Sequence, residues 1–202
     1  FTANVSHEIK TPLQSIMGSA ELIENGLVKP EDLPRFVGRI RSETARLVTL
    51  VNDAIRLSKL DENAALQFED VDLYALAAEE TQMIRRTADE KGVSLNLEGE
   101  TTVVNGVKEL IREIMANLCD NAVKYNVKGG SVTVSVGSDG QSAALTVADT
   151  GIGIPKESLE RIFERFYRVD KSRSKEIGGT GLGLSIVKHA VQYMDGKIAV
   201  ES

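Results

Sequence analysis

The stretch Asn4-Val5-Ser6-His7-Glu8-Ile9-Lys10-Thr11-Pro12-Leu13 begins a long amphipathic pattern that determines the architecture of the first third of the chain. Apolar residues recur at alternating spacings of four and three between Ile9 and Leu27, which predicts a helix with a coiled-coil-like seam. Asn25-Gly26 and Pro30 end this helix, and a second apolar face covers about 31–60. Because two helices cannot enclose a core alone, we expect the seam to meet a second copy of the chain in a dimeric four-helix bundle.

The remainder of the chain has a mixed pattern. Helical periodicity covers 74–91, 107–125 and 181–194, whereas alternation predicts strands at 93–97, 131–137, 142–149 and 197–200. Helices mixed with antiparallel strands are typical of an α+β domain. We therefore expect a helical hairpin over 1–64, followed by a second domain over 68–202.

Composition excludes several classes of protein. The 202 residues carry 24 basic and 30 acidic side chains, a net charge of −6, which argues against binding nucleic acid through bulk charge. No apolar run reaches the roughly 18–20 residues that cross a bilayer, so we expect any membrane span to lie upstream of this chain. The single cysteine, Cys119, excludes an internal disulfide and is expected at a core or interface position rather than as a nucleophile.

The first candidate for chemistry is His7. At 100° per residue it lies on the side of its helix opposite the seam, so its imidazole is expected in solvent. The carboxylate of Glu8 next to it can orient one ring nitrogen and make the other a better nucleophile. An ordinary surface histidine remains the alternative.

A polar stripe follows the helix predicted over 107–125. Spacings of four align Glu113, Asn117, Asn121 and Tyr125, and Lys124 lies beside them. Two amides on one helix face suit a hydrated magnesium ion that bridges phosphates. A solvated helix surface is the alternative reading.

Two glycine-rich tracts complete the candidates. In the first, Asp149 ends a predicted strand and can accept a hydrogen bond from an exocyclic amine, while Gly151 and Gly153 allow a flat ring to approach the backbone. The second tract, 178–184, precedes a helix whose free amides can hold phosphate oxygens. Its glycines at 179, 181 and 183 do not fit the dinucleotide-binding fingerprint, and each tract alone is compatible with a flexible loop.

In combination these tracts resemble the catalytic core of a two-component sensor histidine kinase. An H-box around His7, an N-box at 113–125, a G1-box at 149–155, an F-box at 161–168 and a G2-box at 179–184 follow one another in the order of that family. The resemblance covers essentially the whole chain. It implies a dimerisation and histidine-phosphotransfer hairpin, followed by the α/β-sandwich ATP-binding domain shared with the gyrase and Hsp90 ATPases.

The resemblance also implies roles for individual residues. His7 would attack the γ-phosphate of ATP with Glu8 as base, and Thr11 would orient water for dephosphorylation of a partner. Asn117 would ligate Mg²⁺, and Asp149 would read the adenine amino group. The other implied nucleotide-binding residues are Glu113, Asn121, Lys124, Tyr125, Gly151, Gly153, Ile154, Arg168, Gly179, Thr180, Gly181, Leu182 and Gly183.

The implied partners are a second copy of the chain and the receiver domain of a response regulator. The resemblance further implies the cytoplasmic portion of a membrane-anchored bacterial sensor, without identifying its stimulus or its regulator. Two other functions share some of these motifs. One is an ATP-driven clamp, which the upstream H-box disfavours, and the other is an ATP-binding scaffold without catalysis, which the intact His7, Glu8, Asn117 and Asp149 disfavour.

Overall fold

A computed structural model of the chain describes residues 2–61, 66–140, 142–170 and 179–202. The predicted end of the hairpin at residue 64 lies outside these residues. The helices are α1 (Thr2–Glu24), α2 (Leu33–Asp61), α3 (Leu73–Lys91), α4 (Lys108–Lys124) and α5 (Gly183–Tyr193). The strands are β1 (Glu69–Asp72), β2 (Ser94–Gly99), β3 (Val103–Gly106), β4 (Ser131–Ser138) and β5 (Ala143–Asp149). Within the described residues, no helix is both long enough and apolar enough to span a membrane.

The two long helices α1 and α2 form the predicted hairpin. Gly26 ends α1 in the left-handed conformation (φ +65°), and the amide of Leu27 donates to the carbonyl of Leu22 at 3.0 Å, so the turn closes as a Schellman motif. The helix continues through Pro12, whose ring is fully buried. Farther along the hairpin, Arg39 Nε donates to Ser15 Oγ at 3.0 Å and ties the two helices together.

Two sheets build the second domain. The larger has the order β2-β4-β5, with β2 parallel and β5 antiparallel to β4. The smaller pairs β1 with β3 in an antiparallel register. Asp72 caps α3 by accepting from the amides of Tyr74 and Ala75, so that the helix begins directly at the end of β1.

Two apolar clusters lie on opposite sides of α4. In the first, Met115, Cys119 and Val123 pack with α3 and with the inner side of β4. In the second, Leu110 and Ile114 pack with α5 and with the C-terminal half of α2. The second cluster therefore joins the hairpin to the α/β domain through Leu50, Leu57, Leu60, Leu182 and Ile186, all of which are buried.

The predicted succession of a helical hairpin and an α/β domain is confirmed. Three details differ. The expected strand at 197–200 is wrong, because the described segment 194–202 forms no ladder, although Ile198 still packs on the second cluster. The expectation of antiparallel strands is confirmed for β4 with β5 but wrong for β2, whose crossover through β3 and α4 makes it parallel to β4. The short β1 and β3 were not predicted.

Candidate active site

The predicted nucleophile His7 lies on the exposed side of α1, as expected for an imidazole that must meet a substrate. One turn later, the Thr11 hydroxyl donates to the His7 carbonyl oxygen at 3.3 Å. This local bond engages the hydroxyl proton and leaves the oxygen lone pairs to accept from water. The backbone of α1 thus presents the imidazole and an oriented hydroxyl on one face.

The carboxylate of Glu8 turns from the exposed side toward two guanidinium groups. Its Oε2 accepts from Arg46 Nη2 of α2 at 3.3 Å and from Arg168 Nη2 of the second domain at 3.2 Å. The Arg46 and Arg168 side chains are only 10% and 8% exposed. Burial lowers the pKa of the Arg168 guanidinium, and the charge of Arg46 lowers it further, whereas Glu8 raises it. One carboxylate oxygen therefore joins the two domains next to His7.

The polar stripe on α4 points toward the start of α5. The Asn117 amide nitrogen donates to the Glu113 carbonyl oxygen at 2.9 Å, which directs its Oδ1 outward. A Cβ added to Gly183 would lie 2.6 Å from that Oδ1, so the amide oxygen packs closely against this glycine. An amide oxygen is a hard ligand of the kind that Mg²⁺ prefers, and Asn117 therefore fits the predicted metal role.

The Glu113 carboxylate, one turn before Asn117, is held by the hairpin. Its Oε1 accepts from Arg56 Nη1 of α2 at 2.7 Å, and the Glu113 side chain is 13% exposed. Burial raises the pKa of Glu113, an effect that Arg56 opposes and the nearby charge of Asp53 reinforces. Asn121, the next member of the stripe, is half-buried.

The predicted phosphate loop ends against the same part of α2. Thr180 Oγ1 donates to Asp53 Oδ2 at 2.8 Å, while the Thr180 carbonyl accepts from Arg168 Nη2 at 2.9 Å. Burial raises the pKa of Asp53, and its hydrogen bond with Thr180 and the charges of Arg56 and Lys124 oppose the rise. Gly179 and Gly181 flank this threonine, Gly181 with φ +74°.

The start of α5 retains the features of an anion site. Leu182, which precedes the helix, is fully buried in the second apolar cluster and anchors the loop. Its amide donates to Thr180 Oγ1 at 3.3 Å. Among the described residues no side chain caps this N-terminus, so the first amides of α5 remain available to an anion.

The predicted adenine-binding loop follows β5. Asp149 is exposed, and its Oδ1 accepts from the amide of Gly151 at 2.8 Å, which fixes the carboxylate at the strand end. A Cβ on Gly151 would lie 2.5 Å from the Tyr125 carbonyl, so the loop touches the end of α4. Gly153 has φ +68°, and the amide of Ile154 donates to Ser202 Oγ at 2.7 Å.

Two further predicted residues end α4 beside this loop. Lys124 Nζ forms an ion pair with Asp120 at 2.7 Å. Tyr125 lies close enough to Arg168 for the phenol to influence the pKa of that guanidinium. The structure thus gathers the stripe of α4, the loop after β5 and the loop before α5 at one end of the α/β domain.

Sequence reasoning missed three charged residues of α2, namely Arg46, Asp53 and Arg56. They contact residues 38, 127 and 57 positions away, respectively, and such pairings depend on domain packing. Their only local signal is a charge next to the apolar face of the helix. Cys119 is a core residue as predicted: it is 1% exposed, and burial raises the pKa of its thiol to about 11.

Comparison with known proteins gives a consistent result. The family model described as "His Kinase A (phospho-acceptor) domain" matches residues 1–63. The model described as "Histidine kinase-, DNA gyrase B-, and HSP90-like ATPase" matches residues 106–202. The two matches follow the order of the hairpin and the α/β domain.

Individual relatives agree with these matches. The chain is 38% identical over 210 residues to the sensor histidine kinase WalK of Bacillus subtilis, covering 100% of the chain and 34% of WalK. It also resembles the structure of full-length ShkA in complex with AMPPNP, with a TM-score of 0.67, 30% identity and coverage of 96% and 40% of the two chains. The structure of histidine kinase ThkA in complex with response regulator protein TrrA gives a TM-score of 0.71, 25% identity and coverage of 87% and 53%. The chain spans between a third and about half of the length of the curated relatives it matches.

Proposed function

Since the chain belongs to the sensor histidine kinases of two-component systems and carries their catalytic core, we propose that ATP phosphorylates His7 and that the phosphoryl group then passes to an aspartate of a response regulator. The observation that carries this proposal is the contact between the Glu8 carboxylate, next to an exposed His7, and Arg168 of the α/β domain. It brings the acceptor helix and the candidate ATP-binding domain together at one residue. The domains involved would be the hairpin, 1–64, and the ATP-binding domain, 68–202.

ATP would bind at the end of the α/β domain where the three glycine- and asparagine-bearing segments meet. Asp149 would accept from the adenine amino group, with Gly151, Gly153 and Ile154 along the ring. The triphosphate would lie between α4 and the start of α5, in contact with Glu113, Asn121, Lys124, Tyr125, Arg168, Gly179, Thr180, Gly181, Leu182 and Gly183. The uncapped N-terminus of α5 supports this orientation, because helix N-termini favour anions.

Mg²⁺ would be held by Asn117, whose Oδ1 lies close to Gly183 at the start of α5. The ion would neutralise phosphate charge and orient the γ-phosphoryl group. The protein groups nearby would keep the phosphates in place, and the amides of α5 supply donors that do not depend on the metal.

Phosphorylation of His7 would be a direct displacement. One imidazole nitrogen forms the N–P bond as the bond between the γ-phosphorus and the bridging oxygen of ADP breaks. The Glu8 carboxylate accepts the proton of the other ring nitrogen, so charge does not accumulate on the ring. Positioning and electrostatic stabilisation supply most of the catalysis in such phosphoryl transfers.

A second copy of the chain would cover the remaining apolar surface of the hairpin. Leu13 and Met17 of α1, and Val48, Val51 and Ile55 of α2, are each at least 43% exposed. On α2 the three residues recur at heptad-like spacings of three and four. Such a face favours a homodimeric four-helix bundle.

A response regulator would dock near His7, because its aspartate must reach the phosphorylated imidazole. The complex of the related kinase ThkA with a response regulator supports this class of partner. Thr11 would align water for dephosphorylation of that regulator. The greater length of the relatives supports a larger sensor protein, and we place this core on the cytoplasmic side of a membrane-anchored one.

The test of the proposed function is the chemical stability of protein-bound phosphate after incubation with radiolabelled ATP and Mg²⁺. A phosphohistidine is lost in acid and retained in base. His7→Gln should abolish labelling, whereas His189→Gln, which removes the other histidine, should retain it. ATP hydrolysis without labelled protein would instead favour an ATP-driven clamp, and the absence of both would favour a non-catalytic scaffold.

A further inference from the structure

The Glu8 carboxylate belongs to a cluster of four charged side chains. Arg46 donates to Glu8 Oε2 at 3.3 Å, and its other terminal nitrogen, Nη1, lies 3.8 Å from Glu43 Oε2. Arg168 reaches the same Glu8 oxygen from the α/β domain. The two carboxylates and the two guanidiniums balance in charge, which suits groups that are mostly withdrawn from water.

The two arginines differ in how firmly they are tied to Glu8. Arg46 projects from α2, which packs along α1 within the hairpin, so its distance from Glu8 is set by one rigid unit. Arg168 belongs to the other domain and also donates to the Thr180 carbonyl at the candidate phosphate loop. A movement of the α/β domain relative to the hairpin therefore separates Arg168 from Glu8 but leaves Arg46 in place.

Removal of Arg168 also changes the charge of the cluster. Glu8, Glu43 and Arg46 then carry a net charge of −1, and Arg46 divides its attraction between two carboxylates. Arg46 Nη1 and Glu43 Oε2 have no hydrogen-bond partner among the described residues, so only the ion pair between them holds this side of the Arg46 guanidinium. Arg46 can then fix the carboxylate without neutralising it completely.

We infer that Arg46 is a positioning residue for autophosphorylation, which holds the Glu8 carboxylate beside His7 once Arg168 has turned from Glu8 to the nucleotide phosphates. The inference rests on the proposed function, in which Glu8 is the proton acceptor for His7. Arg46 touches neither the imidazole nor ATP in this mechanism and acts only through Glu8. Its removal should therefore slow phosphoryl transfer without weakening ATP binding.

The test measures autophosphorylation at several ATP concentrations for Arg46→Ala, Glu8→Gln and the double variant. We expect Arg46→Ala to lower kcat roughly tenfold or more, since small displacements of a catalytic group are costly, and to leave KM for ATP unchanged. The double variant should be no slower than Glu8→Gln alone, because Arg46 then has no base to position. Arg41→Ala, on the exposed side of the same helix, is the matched control and should retain wild-type rates.

Arg46→Lys keeps a charge at this buried position but loses the planar fork, and serves if Arg46→Ala does not fold. When both variants fold, the kcat of Arg46→Lys should lie between those of the wild type and Arg46→Ala. When only the lysine variant folds, its kcat should be below that of the wild type, with KM for ATP unchanged. Equal kcat for Arg46→Lys and wild type, a loss confined to KM, or additive losses in the double variant would each overturn the inference. An unaffected Glu8→Gln variant would overturn it as well, while labelling of His7 would still support the proposed function.

Discussion

The candidate adenine site depends on a hydrogen-bond acceptor, the carboxylate of Asp149. Asp149 ends β5 with an exposed carboxylate whose Oδ1 is already fixed by the amide of Gly151. A carboxylate only accepts hydrogen bonds at neutral pH, whereas an asparagine amide can also present donors. In the proposed role, recognition of the adenine amino group would therefore depend on this one carboxylate.

Asp149→Asn should weaken the binding of ATP and ADP by the same factor, because both nucleotides carry adenine. The loss of a hydrogen bond to a charged group corresponds to about 1.5–3 kcal/mol, or roughly 10- to 150-fold in Kd. Isothermal titration calorimetry with each nucleotide measures this change. Glu160→Gln, an exposed acid on the surface of the same domain, is the control and should bind normally. Unchanged affinity for both nucleotides would refute the role of Asp149.

Thr11→Ala should separate the two activities of the hairpin. The Thr11 hydroxyl donates to the His7 carbonyl, so it can accept from water but cannot replace the imidazole as a nucleophile. Autophosphorylation should therefore stay near the wild-type rate, while dephosphorylation of the cognate regulator slows. Both rates are measured on one preparation, with Thr11→Ser as the variant that retains the hydroxyl. An equal loss of the two rates in Thr11→Ala would indicate a structural role.

Local sequence patterns predicted which of these side chains are exposed and which are buried. The exposure of His7 follows from its angle around α1, and the burial of Cys119 follows from its apolar neighbours on α4. The contact of Glu8 with Arg168 spans 160 positions and crosses between domains, so no local pattern contains it. The charged residues that meet across this boundary required the structure.

At the scale of elements, α2 has two apolar sides rather than one. Leu50 and Leu57 face the α/β domain and are buried, whereas Val48 and Ile55 are about half exposed on the other side. The sequence pattern predicted one apolar face, which includes Leu50 and Leu57, and did not identify the second side that carries Val48 and Ile55. A test of dimerisation therefore has to target the exposed side, since changes at Leu50 would disturb the contact between the domains.

The combined changes Val48→Glu and Val51→Glu should convert a dimer of this chain into a monomer. They place charges on the apolar face that a second copy would cover, and a desolvated charge without a partner is strongly unfavourable. Sedimentation equilibrium or light scattering at tens of micromolar measures the change in mass. Met83→Glu, at a more exposed apolar position on α3, is the control and should leave the mass unchanged. A wild-type chain that is monomeric at this concentration would contradict the proposed dimer.

Elements with a long amphipathic period were predicted well, and short ones were not. The strands β1 and β3 have only four residues each, too few for alternation to be recognised, and they form because they pair with one another. The segment 197–200 shows the reverse, since it alternates like a strand but finds no ladder among the described residues. Pairing partners, which are tertiary features, decided all three cases.

At the scale of the whole molecule, the hairpin holds residues that ATP is expected to use. Asp53 accepts from Thr180, Arg56 pairs with Glu113, and Glu8 pairs with Arg168. The apolar contact of Leu57 with the α/β domain supports these three polar bridges. Nucleotide binding and docking of the hairpin thus draw on the same side chains, so each should weaken the other.

Asp53→Ala should strengthen ATP binding, because the Thr180 hydroxyl can then donate to a phosphate without first leaving the Asp53 carboxylate. The change also removes a negative charge near the phosphates. The net value of one such hydrogen bond is about 0.5–1.5 kcal/mol, which corresponds to roughly 2- to 12-fold in Kd. Asp53→Asn retains an acceptor for Thr180 but not the charge, so it should gain less than Asp53→Ala if the hydrogen bond matters most. Asn52→Ala, an exposed neighbour on α2, is the control for calorimetric titration with ATP. Weaker binding by Asp53→Ala would mean that Asp53 supports the nucleotide site rather than competing for it.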